Sequence, residues 1–230
     1  MNNPDRSHPK INEVIRSNRR SFGLEIKPDG RLVIRAPRHA TQSQIEAIVA
    51  QKAAWIRQKQ AVAAERFPNA QPKNFTPGET FWYLGQQYPL KLTDRRRPPL
   101  ELEGAFLLSR TAQNRAKAVF INWYREETRS ITYNLIETYS QNYDFQVGAL
   151  TINSARTRWG SCSGQNNLNF TYRLSMAPFS VVDYVVVHEL CHLKVRNHSA
   201  AFWQAVRSIK PNYEQEQGWL KQNGALLTLD

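Results

Sequence analysis

The spacing of apolar residues divides the chain into a series of short strands, one long helix and a pair of helices near its C-terminal end. Residues 11–37 read as strands: Phe22, Leu24 and Ile26 alternate, Asp29-Gly30 supplies a turn, and Leu32, Ile34 and Ala36 alternate on the return. Such a pattern marks a hairpin, because period-two alternation gives each strand one buried face and glycine accepts the backbone of a tight turn. From Thr41 to about Arg66 the period becomes helical, through Ile45, Ile48, Val49, Ala53, Trp55, Ile56 and Val62. Three prolines and a glycine between Pro68 and Gly78 read as a connector. Short strands are expected at Phe81–Leu84, Tyr88–Thr93 and Leu100–Leu108, then a long helix over 114–142 carrying Ala118, Phe120, Ile121, Tyr124, Ile131, Leu135 and Ile136. Leu150–Asn153 and Asn167–Tyr172 read as two more strands.

Ser180-Val181-Val182-Asp183 resembles a capping box, which predicts a helix from about Val181 to about Val195. Arg196-Asn197 then forms a turn, and Ser199 caps a second helix through Ala200, Phe202, Trp203, Val206 and Ile209. The whole pattern predicts an α+β fold, a small antiparallel or mixed sheet with helices. Three segments are expected: a disordered tail at 1–10, a β-rich basic region with one helix at 11–110, and a second domain at 111–230.

At 230 residues, with 41% hydrophobic and 11% aromatic side chains, the chain can bury a substantial core. The apolar run Tyr184–Val187 is far too short to span a membrane, and the polar N-terminus carries no signal-peptide pattern. Two cysteines, Cys162 and Cys191, make no disulfide framework. A soluble protein of a reducing, cytoplasmic compartment is the expectation. The net charge of +12 is concentrated early, with 19 Lys and Arg against 10 Asp and Glu in residues 1–110 and 12 against 9 in residues 111–230. A basic surface can attract nucleic acid, acidic proteins or anionic substrates, or simply keep the chain soluble.

Residues 188–198 carry the strongest chemical signal: His-Glu-Leu-Cys-His-Leu-Lys-Val-Arg-Asn-His. A shuffled chain of this composition would contain H-E-x-x-H only about 0.006 times. On a helix His188 and His192 leave one face a turn apart, which suits two ligands of one tetrahedral zinc ion. Glu189 projects beside them, where it can take a proton from a water. Tyr184, Val185, Val186, Val187, Leu190 and Leu193 surround the motif, so the helix should be buried, where polar side chains need partners. His198 can complete a three-histidine site if the chain turns back between the two helices. Cys191 lies about 100° round the helix from His192 and should face the core.

Between the last two expected strands, residues 154–164 combine glycines with Arg156, Arg158, Trp159 and Cys162. A strand beside the zinc helix can pair with an extended peptide and hold it across the metal. Trp159 and Cys162 read as mainly structural, while the arginines suit the cleft.

Thr-Arg-Trp-Gly-Ser-Cys-Ser at 157–163, Leu168-Asn169-Phe170, Arg173-Leu174, Ala177-Pro178, Asp183 to Leu190, and Asn197-His198-Ser199 with Phe202-Trp203 together resemble the YgjP-like metal-dependent hydrolases. These are small zinc metallopeptidase-like proteins, similar in their core to SprT and WSS-type proteases. The resemblance is most specific over about 150–222. It implies zinc held by His188, His192 and His198, Glu189 as general base, and a minigluzincin-like core with the zinc helix beside the sheet edge. It also makes 111–230 a metallopeptidase-like catalytic domain. Metzincins share the third-histidine spacing, but they carry Gly where this chain has Val195, and no Met-turn is visible.

The expected reaction is hydrolysis of a peptide bond in a protein or peptide substrate, by zinc-activated water with Glu189 as base. Arg156, Arg158, Arg173 or a tyrosine could contact substrate and stabilise the oxyanion; the sequence does not choose among them. Two alternatives stand beside this reading. One is hydrolysis of a nucleotide phosphoanhydride, which the arginines would suit. The other is a nucleic-acid-associated protease or binding module, suggested by the basic N-terminal half.

Overall fold

In the computed structural model, which describes residues 8–68 and 70–230, the chain forms two units that meet in sequence at Pro72 and Lys73. The tail expected at 1–10 lies mostly outside the described residues; His8–Lys10 have no regular structure.

In the first unit β1 (Ile11–Ser17), β2 (Gly23–Ile26) and β3 (Leu32–Pro37) form a sheet in the order β1-β3-β2. The hairpin is present: β2 runs antiparallel to β3, and Gly30 at the turn has φ +80°. β1 pairs parallel to β3, so the sheet is mixed. Two helices follow, α1 (Gln42–Gln51) and α2 (Ala53–Arg66), where the periodicity predicted one. Lys52, at φ −101° and ψ 11°, leaves helical geometry between them. Periodicity is blind to this break, because one non-helical residue barely shifts the apolar stripe. Thr41 and Gln44 form a reciprocal capping box at the start of α1, Oγ1 of Thr41 accepting from the Gln44 amide and Oε1 of Gln44 from the Thr41 amide. Leu32, Ile34, Ala36, Ile45, Val49 and Ile56 fill the core of this unit.

The second unit opens with β4 (Thr80–Tyr83), β5 (Gln86–Thr93), β6 (Leu100–Leu102) and β7 (Phe106–Ser109), in the sheet order β4-β5-β7-β6. The single strand expected at 100–108 is two antiparallel strands turning at Gly104, whose φ is +68°. The long helix α3 (Ala116–Tyr143) follows and ends at Asp144 in the left-handed region. Phe120 on α3 packs against Phe81 at 4.4 Å and Phe106 at 5.0 Å between ring centroids. β4–β7 thus share one core with the rest of the chain to Asp230, and the boundary expected near residue 110 falls inside this unit.

A second small sheet, β8 (Leu150–Asn153), β9 (Gly160–Cys162) and β10 (Leu168–Thr171), has the order β8-β10-β9, which puts β9 on an edge. The last helices are α4 (Phe179–Cys191), α5 (Ala200–Ile209) and α6 (Tyr213–Asn223). The architecture is α+β with small mixed sheets, as the patterning required. Among the described residues no helix is long and apolar enough to cross a membrane.

Candidate metal centre

α4 begins two residues earlier than expected, and no side chain caps it. The Ser180–Asp183 box does not form because Asp183 is committed elsewhere. Its Oδ1 accepts from the Tyr139 hydroxyl at 2.6 Å and its Oδ2 from Lys210 Nζ at 2.7 Å, tying α4 to α3 and to the end of α5. The start of α4 is instead set by the β4–β5 turn, where the Leu84 amide donates to Ser175 O and a Cβ on Gly85 would come within 2.7 Å of Pro178. The helix is buried on almost every side: Val181, Val182, Tyr184, Val185, Val186, Val187, Leu190 and Cys191 all lie in the core.

α4 ends at Cys191, short of the predicted Val195, and His192 is its C-cap. The chain then turns and brings His198 back over the motif. One ring nitrogen from each of His188, His192 and His198 lies within 4.8 Å of the others, and Nε2 of His188 and Nε2 of His198 are 3.1 Å apart. His192 donates its Nδ1–H to Val195 O at 3.1 Å, which leaves its Nε2 lone pair directed outward. Burial and the neighbouring imidazoles push the His188 pKa down to about 3, and burial lowers that of His192. These rings are therefore neutral near pH 7, the state in which imidazole binds a metal. His188 Nδ1 is buried without a hydrogen-bond partner. Three imidazoles converging on one point, with no carboxylate among them, fit a zinc-type ion.

Glu189 is 6% exposed and lies against β9. A Cβ on Gly160 would come within 2.6 Å of both Cγ and Oε1 of Glu189, so the carboxylate can sit there only because residue 160 is glycine. Burial raises the Glu189 pKa to about 7, with the charge of Arg158 working in the opposite direction. A carboxyl poised near neutrality can both take and return a proton.

Of the three arginines that the sequence offered, only Arg158 brings its charge to Glu189. Arg156 pairs with Asp230. Arg173 donates to Leu227 O, Gly224 O and Arg156 O, and lies over the Trp159 ring at 5.0 Å. Both fasten the C-terminal segment to the loop that precedes Gly160. Trp159 has a structural place as well, packed where a Cβ on Gly224 would fall 2.8 Å from its ring.

Sequence reasoning passed over Gly160 and Arg196. Arg196, in the turn between His192 and His198, donates to Cys162 Sγ at 3.2 Å, Ser163 O at 2.7 Å and Asn166 Oδ1, clamping that turn to the β9–β10 connection. A tryptophan-glycine step before a strand was a usable signal for Gly160; nothing local distinguishes Arg196 from the other arginines. Cys191 faces the core, as the helix angle required, and burial pushes its thiol up to about 11.

A family model described as a YgjP-like metallopeptidase domain matches residues 20–223. Among solved structures, the metallopeptidase zymogen of Pyrococcus abyssi abylysin is similar, with 19% identity, 39% of this chain and 90% of that chain covered, and a TM-score of 0.36. The metallopeptidase zymogen of Methanocaldococcus jannaschii jannalysin is also similar, with 18% identity, 42% and 95% covered, and a TM-score of 0.35. No curated protein matches the sequence.

Proposed function

The chain belongs to the YgjP-like metallopeptidase family, and on that premise we propose that it is a zinc-dependent endopeptidase with Glu189 as its general base. The observation that carries this reading is the meeting of three imidazoles, His188, His192 and His198, beside one buried carboxylate. Zinc held by the three rings would supply Lewis acidity, making a water acidic near neutral pH and polarising the substrate carbonyl. Glu189, held in place by its seat on Gly160, accepts the proton of that water and delivers it to the leaving amine.

β9 supports the same reading. Its outer edge has no partner strand among the described residues, and an extended peptide can pair with it alongside the carboxylate. Arg158 has no ion pair or side-chain hydrogen bond of its own among the described residues, and its charge reaches Glu189, which supports giving it the role of meeting a carbonyl oxygen or an acidic substrate group. Two free thiols fit a reducing, cytoplasmic compartment. The excess of basic residues is denser in the first unit, 13 Lys and Arg against 6 Asp and Glu in residues 1–72 and 18 against 13 in residues 73–230. Peptide is the substrate we favour, because β9 offers an open edge to an extended chain beside Glu189.

The test is hydrolysis of an unfolded protein by the zinc-loaded enzyme, with Glu189→Gln alongside. The variant should keep stoichiometric zinc and lose turnover by at least about 10²-fold. Retained turnover, or loss of zinc from the variant, would contradict the role given to Glu189.

A further inference from the structure

Helix geometry does not hold His198. His188 lies within α4 and His192 is its C-cap, but His198 sits in the turn before α5 and is exposed. A metal-binding histidine ordinarily donates its second N–H to a carbonyl or carboxylate, which sets the ring's orientation. His192 does so, to Val195 O. Among the described residues the His198 ring nitrogens meet only Nε2 of His188.

What His198 has instead is a stacked face. Its imidazole lies on the Trp203 indole, with centroids 5.6 Å apart and planes inclined by 25°. Trp203 stacks on Tyr213 at 5.2 Å and 12°, and Tyr213 stacks on Tyr184 at 6.0 Å and 15°. Tyr184, one helical turn before His188, meets the edge of that ring at 5.9 Å and 73°. The aromatic column therefore leaves α4, passes through α6 and α5, and returns to α4 through the histidines. Phe202 presses on His198 edge to face at 4.8 Å and 79°. Stacking fixes the tilt of the imidazole plane, and the Phe202 contact restricts its slide across the indole.

We infer that Trp203 is the positioning residue for His198. Its indole, seated on Tyr213 with Tyr184 behind that ring, takes the place of the missing hydrogen bond and sets the angle at which the third imidazole meets the other two. This inference rests on reading His188, His192 and His198 as the metal-holding set.

Trp203 is half-buried and lies at the margin of the core, against Tyr213, so the stability of each variant is followed beside its zinc affinity. The experiment measures zinc dissociation constants by competition with a chromophoric chelator, for wild type, Trp203→Phe, Trp203→Leu, His198→Ala and the His198→Ala/Trp203→Leu double variant. The melting temperature of each zinc-free protein is recorded in parallel. Trp203→Leu should weaken zinc binding by about 10–100-fold at an unchanged zinc-free melting temperature. Trp203→Phe, which keeps a stacking face, should stay within about threefold of wild type. Trp203 also meets the His188 ring edge-on at 5.8 Å and 62°, so in the His198→Ala background the leucine substitution should keep a small penalty, well below the one it carries in wild type, because most of its effect passes through His198. Where leucine lowers the zinc-free melting temperature, Trp203→Met provides the same comparison with the volume largely kept. Wild-type affinity in the leucine or methionine variant, or an equal penalty with and without His198, overturns the positioning role. Absence of zinc binding by the wild type would instead overturn the metal-site reading beneath it.

Discussion

Replacing Gly160 with alanine tests whether the position of the Glu189 carboxylate, rather than its mere presence, governs turnover. The added Cβ would stand 2.6 Å from Cγ and Oε1 of Glu189 and 2.9 Å from Cδ. Non-bonded carbons rest about 3.5–4.0 Å apart. Strand β9 or the glutamate side chain must therefore yield by about 1 Å. The glutamate is 6% exposed, and its backbone is fixed in a helix buried among valines, which limits where the carboxylate can go. A misplacement of about 1 Å at a reacting group costs about 10²-fold in rate, equivalent to about 2.7 kcal/mol of barrier. The three heavy atoms nearest to a Cβ at residue 160 all belong to Glu189 and none to an imidazole, so zinc affinity should stay within about threefold of wild type. Overpacking should lower stability by about 1–3 kcal/mol. The assay is kcat on an unfolded protein at saturating zinc, with zinc content and urea unfolding measured on the same preparation. A Gly160→Ala enzyme with normal zinc and kcat within about threefold of wild type would refute the claim that this close contact seats the base.

Two further outcomes follow from the packing around the site. Arg173→Ala removes a cation that donates to Leu227 O, Gly224 O and Arg156 O. It should lower unfolding stability by about 2–4 kcal/mol while leaving zinc affinity unchanged, and a loss under about 1 kcal/mol in urea titrations would show that the C-terminal segment is held without it. Cys191 is 1% exposed and its thiol is pushed up to about 11 by burial. Raising a thiol pKa depletes the reactive thiolate, so at pH 8 a thiol reagent should label Cys191 in the unfolded chain and spare it in the native one. Rapid native labelling, read by mass spectrometry, would show that α4 opens more readily than its packing implies.

The difference between what local sequence and what topology decide is visible within the site itself. His188 and His192 were legible because a helix converts a spacing of four into a shared face, and the valine-rich flank announced burial. His198 was legible because the chain had to turn before Ser199. The Asp29-Gly30 hairpin and the α+β pattern were legible for the same reason: each depends on residues close in sequence. The capping box at Ser180 was misread because a long-range partner outbid a local one. Asp183 is three residues from Ser180, yet it serves Tyr139 and Lys210.

Tertiary structure alone decided which arginine stands at the carboxylate, since Arg156 and Arg173 are drawn off by a segment 51 to 74 positions further along the chain. It alone put Gly160 against Glu189 and closed the aromatic column from Tyr184 through Tyr213 and Trp203 to His198. The physical reason is range. Backbone periodicity carries information over a turn or two of helix, so the sequence by itself determined the motif, its helix and its burial. Contacts between residues tens of positions apart depend on how sheets and helices stack, and that stacking is what orients His198, seats the Glu189 carboxylate and leaves Arg158 as the arginine whose charge reaches it.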